Sequence, residues 1–338
     1  MNILVTGAST PLGVELVEQL LASPEVSYIL AVGHGRRPQC FADFVRLRYH
    51  SVDLTRRRHA HDLLWGPARE HAIEVVVHMA QHRRASDHGR GVHAQNVAAT
   101  RELLAACDGH PSIRRFVYRS FAEVYALDQP ATNLLTEDAP LDHDPAASQW
   151  VRDRVEADLS VCAHRGEGFE ITVLRCAEVF AAECGSQLWD YVQSRICLRP
   201  LGYDPMLNVL SVPDAASALV AAARSPHTGI FNIPGADTLP LSRAIANSMR
   251  TAIPVPGPLL APLYGLRHLV TGLDFHYSLN AKRFRFGGIV DGSRARGCLG
   301  YEPRTRVAWP RPWWMSVLQR LAGSDREHAQ TPRTTFVR

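Results

Sequence analysis

Lysine is almost missing from this chain. The 338 residues hold 37 lysines and arginines together, and Lys282 is the only lysine. Any chemistry that needs an ε-ammonium therefore has one candidate, because a guanidinium differs in reach, shape and acidity. The seven cysteines are scattered without a Cys-x-x-Cys pair. That excludes the common zinc and dithiol motifs and points to reduced thiols. His59, His61, His82 and His88 fall outside the His-Glu-x-x-His pattern, so no metal is expected. No apolar run reaches membrane-spanning length, and no basic segment followed by an apolar one opens the chain. A cytoplasmic protein without a membrane partner is the expectation. Net charge is modest, +4 with a pI near 8.7. The excess is local: residues 282–338 carry twelve basic groups against four acidic ones, which leaves the rest at −4. No nucleic-acid module accompanies this basic end, so no nucleic acid is expected, and 323–338 reads as a disordered basic tail.

With 46% hydrophobic residues there is enough material for a substantial core. Its organising stretch comes first. Ile3 to Val5 form a short apolar run, turn residues follow, and Leu12, Leu16, Val17, Leu20 and Leu21 recur at helical spacing. Pro11 suits a first helical turn. This is a strand, a tight turn and a helix whose N-terminus can receive a pyrophosphate. Gly7 and Gly13 hold the outer positions of the glycine fingerprint, but Thr10 holds the middle one. Its hydroxyl either bonds a phosphate or marks a site that no longer holds a dinucleotide.

A second strand is expected at 28–33, followed by a turn with Arg36 and Arg37 and no acid. Those arginines would favour NADP over NAD if a dinucleotide binds, and they read equally well as loop charges. Strand 47–52 leads to Asp53, which either meets an adenine or caps the next helix. Strand 74–79 feeds a polar segment with His82 and Arg84. Helix 92–107, strand 115–119, helix 148–164 and strand 170–174 complete a doubly wound half. Beyond it come a helix at 213–223, a strand at 229–233 and a helix at 241–249. The apolar segment 259–271 is expected to be helical and to line the core or a pocket. The fold class is α/β, a Rossmann-type doubly wound parallel sheet with a smaller C-terminal α/β substrate domain. The expected boundaries are 1–175, with later segments returning to it, and 176–322.

Thr6-Gly7-Ala8 with Gly13, Asp53-Leu54, Val76-Val77-His78-Met79-Ala80, Asn96-Val97, Phe116-Val117-Tyr118 with Ser120, Val124-Tyr125 and Val173-Leu174-Arg175 occur in order. So do Val212-Pro213-Asp214-Ala215, Gly229-Ile230-Phe231-Asn232-Ile233 and Leu299-Gly300-Tyr301-Glu302-Pro303. On these the chain resembles the extended short-chain dehydrogenases/reductases, the NAD(P)-dependent epimerase/dehydratase group. The resemblance implies a serine or threonine, a tyrosine, and a lysine four residues after the tyrosine. Those positions fall on Phe121, Trp150 and Arg154, none of which can do the family's work. Ser120 lies one place too early, and neither Tyr118 nor Tyr125 is followed by the lysine.

Two readings follow. In one, Glu123, Glu178 and Tyr125 carry non-redox acid/base chemistry (isomerisation, dehydration or cyclisation) on a small, rather apolar metabolite. His82, Arg84 and Cys176 then line its pocket. In the other, the protein is a catalytically silent NADP(H)-binding sensor or scaffold. The cofactor is NADP or none. The resemblance also implies a homodimer through two helices per subunit; Leu103, Leu104, Val155, Leu159 and Val161 either supply apolar surface there or face the sheet.

Overall fold

The computed structural model describes residues 1–42, 44–127, 134–165 and 168–311. Seven parallel strands form the central sheet: β1 (Asn2–Thr6), β2 (Tyr28–Gly33), β3 (Leu47–Ser51), β4 (Val75–His78), β5 (Arg115–Phe121), β6 (Glu170–Cys176) and β7 (Gly229–Ile233). Their order across the sheet is β7-β6-β5-β4-β1-β2-β3. Alternate side chains serve opposite faces. Ile3, Val5, Ile29 and Ala31 pack with Leu16, Leu20 and Ala215 of the helices Pro11–Leu21 and Val212–Arg224. Leu4, Leu30, Val76 and Phe116 pack with Ala60, Leu103, Leu104 and Ala157 of the helices on the other face. Coverage on both faces explains why the central strands are apolar throughout rather than alternating.

Strand β7 and the Val212–Arg224 helix return to this unit after the chain has left it. The intervening and following segments build small sheets beyond the carboxyl ends of the strands. Met206–Leu210 lies between Asp237–Pro240 and Glu178–Val179, and Ile196–Pro200 pairs with Thr251–Val255. The basic tail expected at 323–338 lies outside the described residues.

Two expectations are corrected here. Leu103, Leu104, Val155 and Val161 are buried in the chain's own core, and Leu159 alone of the five is exposed. The helix face foreseen as a subunit contact is polar instead, with Arg101 donating to Ser160 Oγ at 2.8 Å and to Glu156 at 2.9 Å. The helix Gly257–Thr271 does form, but most of it faces outward rather than lining the core.

His78 ties the last turn of β4 to both neighbours. Its Nδ1 is 2.7 Å from Thr6 Oγ1 and its Nε2 is 3.0 Å from Thr100 Oγ1, all fully buried. Burial pushes its pKa down to about 3. The unfolded chain takes up this proton first, so the stability is complete above pH 6.5 and is lost as pH falls toward 3. Urea unfolding followed from pH 7 to pH 4 should show this loss. His78→Asn should cost about 2 kcal/mol at pH 7 and give a shallower slope with pH.

Candidate functional site

Strand order reverses between β1 and β4, and the loops leaving their carboxyl ends open the crevice where such sheets bind ligands. Three hollows lie along this edge. The first, about 1190 Å³, is lined by Gly7, Ser9, Thr10, Gly33, His34, Asp53, Ala80 and His82 among others. The second, about 400 Å³, touches Thr10, Gln81, Arg119, Phe121, Arg154 and Cys184. The third, about 820 Å³, lies against the smaller sheets and is lined by Glu123, Tyr125, Trp150, Glu178, Lys282 and Arg283 among others.

The glycines of the first turn answer to packing. A Cβ on Gly13 would lie 2.3 Å from the Gly7 carbonyl oxygen, and Gly7 itself has φ +73°. Both positions therefore require glycine with or without a ligand. Thr10 caps the helix: its Oγ1 accepts from the Gly13 N–H at 3.0 Å and donates to the Gly7 carbonyl at 2.8 Å. Its hydroxyl is engaged inside the turn. Pro11 has no N–H, and the Gly13 N–H is taken by Thr10, so two of the first-turn positions offer a pyrophosphate no free donor.

Asp53 accepts from Thr55 N at 3.0 Å and Thr55 Oγ1 at 2.6 Å, which lowers its pKa; it caps its turn. Arg36 and Arg37 are exposed and line none of the three hollows. His82 and Arg84, expected in the substrate pocket, stand instead on the first hollow. There His82 Nε2 is 2.8 Å from Asp87 and its N–H donates to Asn96 at 2.8 Å. The residues present leave room for an adenosine half and do not fit the rest of a dinucleotide.

What fills that remainder is a stack. Phe121 is the last residue of β5, and Trp150 and Arg154 lie one turn apart on the Gln149–Ala163 helix. The Arg154 guanidinium carbon sits 3.8 Å from the Phe121 ring centre and 3.7 Å from that of Trp150. Arg119 lies over Phe121 at 4.1 Å. All four side chains are buried. Arg154 faces Glu123 at 3.2 Å, and burial pulls its pKa down to about 10, so it stays charged at neutral pH. Arg154 and Phe121 line the second hollow while Trp150 lines the third, and these two hollows share no lining residue. The stack is the wall between them. Ser120 points away from all three and donates to Asp158, which holds Arg175 bidentately.

In the third hollow the expected acids differ in freedom. Glu178 is fully engaged: Oε1 accepts from Ser186 Oγ and Leu188 N, both at 2.6 Å, and Oε2 pairs with Arg283. The Tyr125 ring lines the wall, but its hydroxyl turns into the core, donating to Asn232 at 2.6 Å and accepting from Arg175 at 3.2 Å. Burial raises its pKa, which removes it as a proton carrier. Cys176 lies beneath the floor and lines no hollow, its thiol pushed up to about 11 by burial. Glu123 Oε2 is buried and faces Arg154 Nη1 at 3.2 Å as an ion pair, outside hydrogen-bond geometry. Lys282 reaches Asp142 at 3.4 Å. Lys282, Arg283 and Arg119 were not foreseen at the site. A charge at Arg119, inside an otherwise apolar strand, was the available signal. Among the described residues no group of three or more histidine, cysteine or acidic side chains is placed to hold a metal ion.

The model of the NAD dependent epimerase/dehydratase family matches residues 3–233. An uncharacterized protein of Mycobacterium tuberculosis is 29% identical over 309 residues, covering 89% of this chain and 80% of that protein. Among solved structures, UDP-glucuronic acid 4-epimerase of Bacillus cereus, in complex with UDP-glucuronic acid and NAD, aligns with a TM-score of 0.68 at 18% identity. That alignment covers 90% of this chain and 95% of the other. The dTDP-glucose 4,6-dehydratase of Bacillus anthracis, in complex with NAD, aligns with a TM-score of 0.67 at 18% identity over 90% and 92%. These likenesses establish the fold.

Arg154→Met removes the stacked cation and strands the Glu123 carboxylate. It should cost about 3 kcal/mol in urea unfolding, and adding Glu123→Gln should restore part of that loss. Additive single effects would show that the pair is not coupled.

Proposed function

The chain belongs to the NAD dependent epimerase/dehydratase family, and from that membership and the site above we propose a non-redox member of it. In this reading the family triad has been replaced by Phe121, Trp150 and Arg154. A small, largely apolar molecule is handled in the hollow beside Glu123. The observation that carries the reading is the Arg154–Trp150 wall, which separates the dinucleotide side from the substrate side. Hydride transfer needs the two reactants in contact, and here a buried cation and two rings stand between them.

The chemistry rests on Glu123. Its Oε2 pairs with Arg154 at 3.2 Å, and, unlike Glu178, it accepts no hydrogen bond from a neighbouring hydroxyl or backbone N–H among the described residues. As a carboxylate it takes a proton from the substrate and, once protonated, returns it to a different atom, so an isomerisation closes without a net proton. Arg154 holds the carboxylate in place, and Glu178 holds Arg283. Gln187, Asn208 and Asn280 add polar surface whose amide groups are bonded within the chain, while Leu127, Leu135, Val151, Leu279 and Val290 make the remaining walls apolar. That balance suits a compact molecule with one or two polar groups better than a sugar nucleotide. No step is routed through a nicotinamide.

Calorimetric titration with NADPH, NADP, NADH and NAD should give no low-micromolar binding. Tight binding of any of them would overturn the reading in favour of a cofactor-dependent enzyme or a nucleotide sensor. A metabolite found by thermal-shift screening should be turned over by the native chain. Glu123→Gln should slow that turnover by about 100-fold while changing binding by less than about threefold.

A further inference from the structure

The Gly257–Thr271 helix is apolar on every side, a pattern that belongs to a helix covered all round. Among the described residues only one side is covered. Leu260 and Tyr264 are buried against Tyr191, Phe275 and Phe284. On the other side Leu259, Leu263, Leu266 and Val270 follow one another at helical spacing, with Leu269 beside them, and they are 41 to 82% exposed. Eleven of the fifteen large apolar side chains exposed among the described residues lie between Ile196 and Val270. Those outside the helix include Ile196 and Ile253 of the strand pair that adjoins it, and Leu201 and Tyr203 in the turn after Ile196–Pro200. An accumulation of this kind marks an interaction face rather than ordinary surface scatter.

The charge around it is mainly positive. Residues 251–273 contain no acid, and their one arginine, Arg267, turns inward to the carbonyls of Asp190 and Tyr191. Arg195 at the head of the strand pair and Arg243 on the helix packed behind are exposed, while Arg199 and Arg250 are half-buried and each donates to a backbone carbonyl. Asp204, which accepts from Ser242, is the exposed acid against them.

We propose that this face docks on a lipid surface that carries anionic headgroups. The leucines enter the boundary of the acyl region and the arginines meet the headgroups, as an interfacial amphipathic helix does. The occupant is chosen by charge. A second copy on a two-fold axis would set the arginine rim against itself, whereas an anionic surface complements it. At fifteen residues the helix is about 22 Å long and lies in the surface rather than crossing it. The chain runs from its end to Leu279, Asn280, Lys282 and Arg283, which line the hollow beside Glu123. The docking face itself does not depend on the chemistry of the hollow.

Flotation of the full chain should be measured with vesicles of phosphatidylcholine alone and of phosphatidylcholine mixed with phosphatidylglycerol. The mixed vesicles should bind at least about tenfold more chain, and added salt should weaken that binding. Leu266→Glu with Leu269→Glu alters exposed positions only, so circular dichroism should be unchanged while flotation is lost. Absence of binding to both vesicles, or equal binding by the double variant, would overturn the proposal. So would a native dimer in light scattering that the double variant converts to monomer, because that assigns the face to a second copy.

Discussion

A buried guanidinium held against two aromatic rings governs this molecule's site. Taking Arg154 out of water is expensive, and the structure compensates with three partners: the Phe121 ring, the Trp150 ring and the Glu123 carboxylate. Each partner is fixed by an element that the sheet itself positions, the end of β5, the turn after it, and the Gln149–Ala163 helix. The stack is therefore as rigid as the core. It stands between the second and third hollows, with Arg154 and Phe121 lining one and Trp150 and Glu123 the other.

The surrounding buried charges follow the same logic without touching either side. Arg175 meets Asp158 through two hydrogen bonds, Ser120 completes the carboxylate's shell, and Tyr125 links Arg175 to Asn232. This network joins β5, β6, β7 and the Gln149–Ala163 helix beneath the site. The hydroxyls of Ser120 and Tyr125, close to the expected catalytic positions, are both engaged with this buried ion pair. Arg283 with Glu178 repeats the device at the substrate hollow.

The sheet was legible because its strands are continuous apolar runs bounded by turns; the placement of Gly7 and Gly13 followed from spacing, and that of Phe121, Trp150 and Arg154 from the family resemblance. Their contacts were not legible. Nothing in a one-dimensional pattern says that Arg154 stacks rather than reaching for a ribose, or that the Thr10 hydroxyl folds back on its own turn. The assignments of Tyr125 and Cys176 failed for one reason: adjacency to a strand end does not tell which way the last side chain points. The Gly257–Thr271 helix misled for another. Apolarity on every side reads as burial, and sequence cannot distinguish a helix covered by its own chain from one awaiting a surface.

The first turn has a consequence for how this branch of the fold can change. Where a ligand completes a helix N-terminus, losing the ligand leaves donors exposed, and selection for binding and for stability act together. Here the turn closes on itself through Thr10, Gly13 and the Gly7 carbonyl. The glycine signature is required by steric need alone. Such a turn keeps its fingerprint readable whatever the adjoining pocket holds, because the fold itself demands the two glycines.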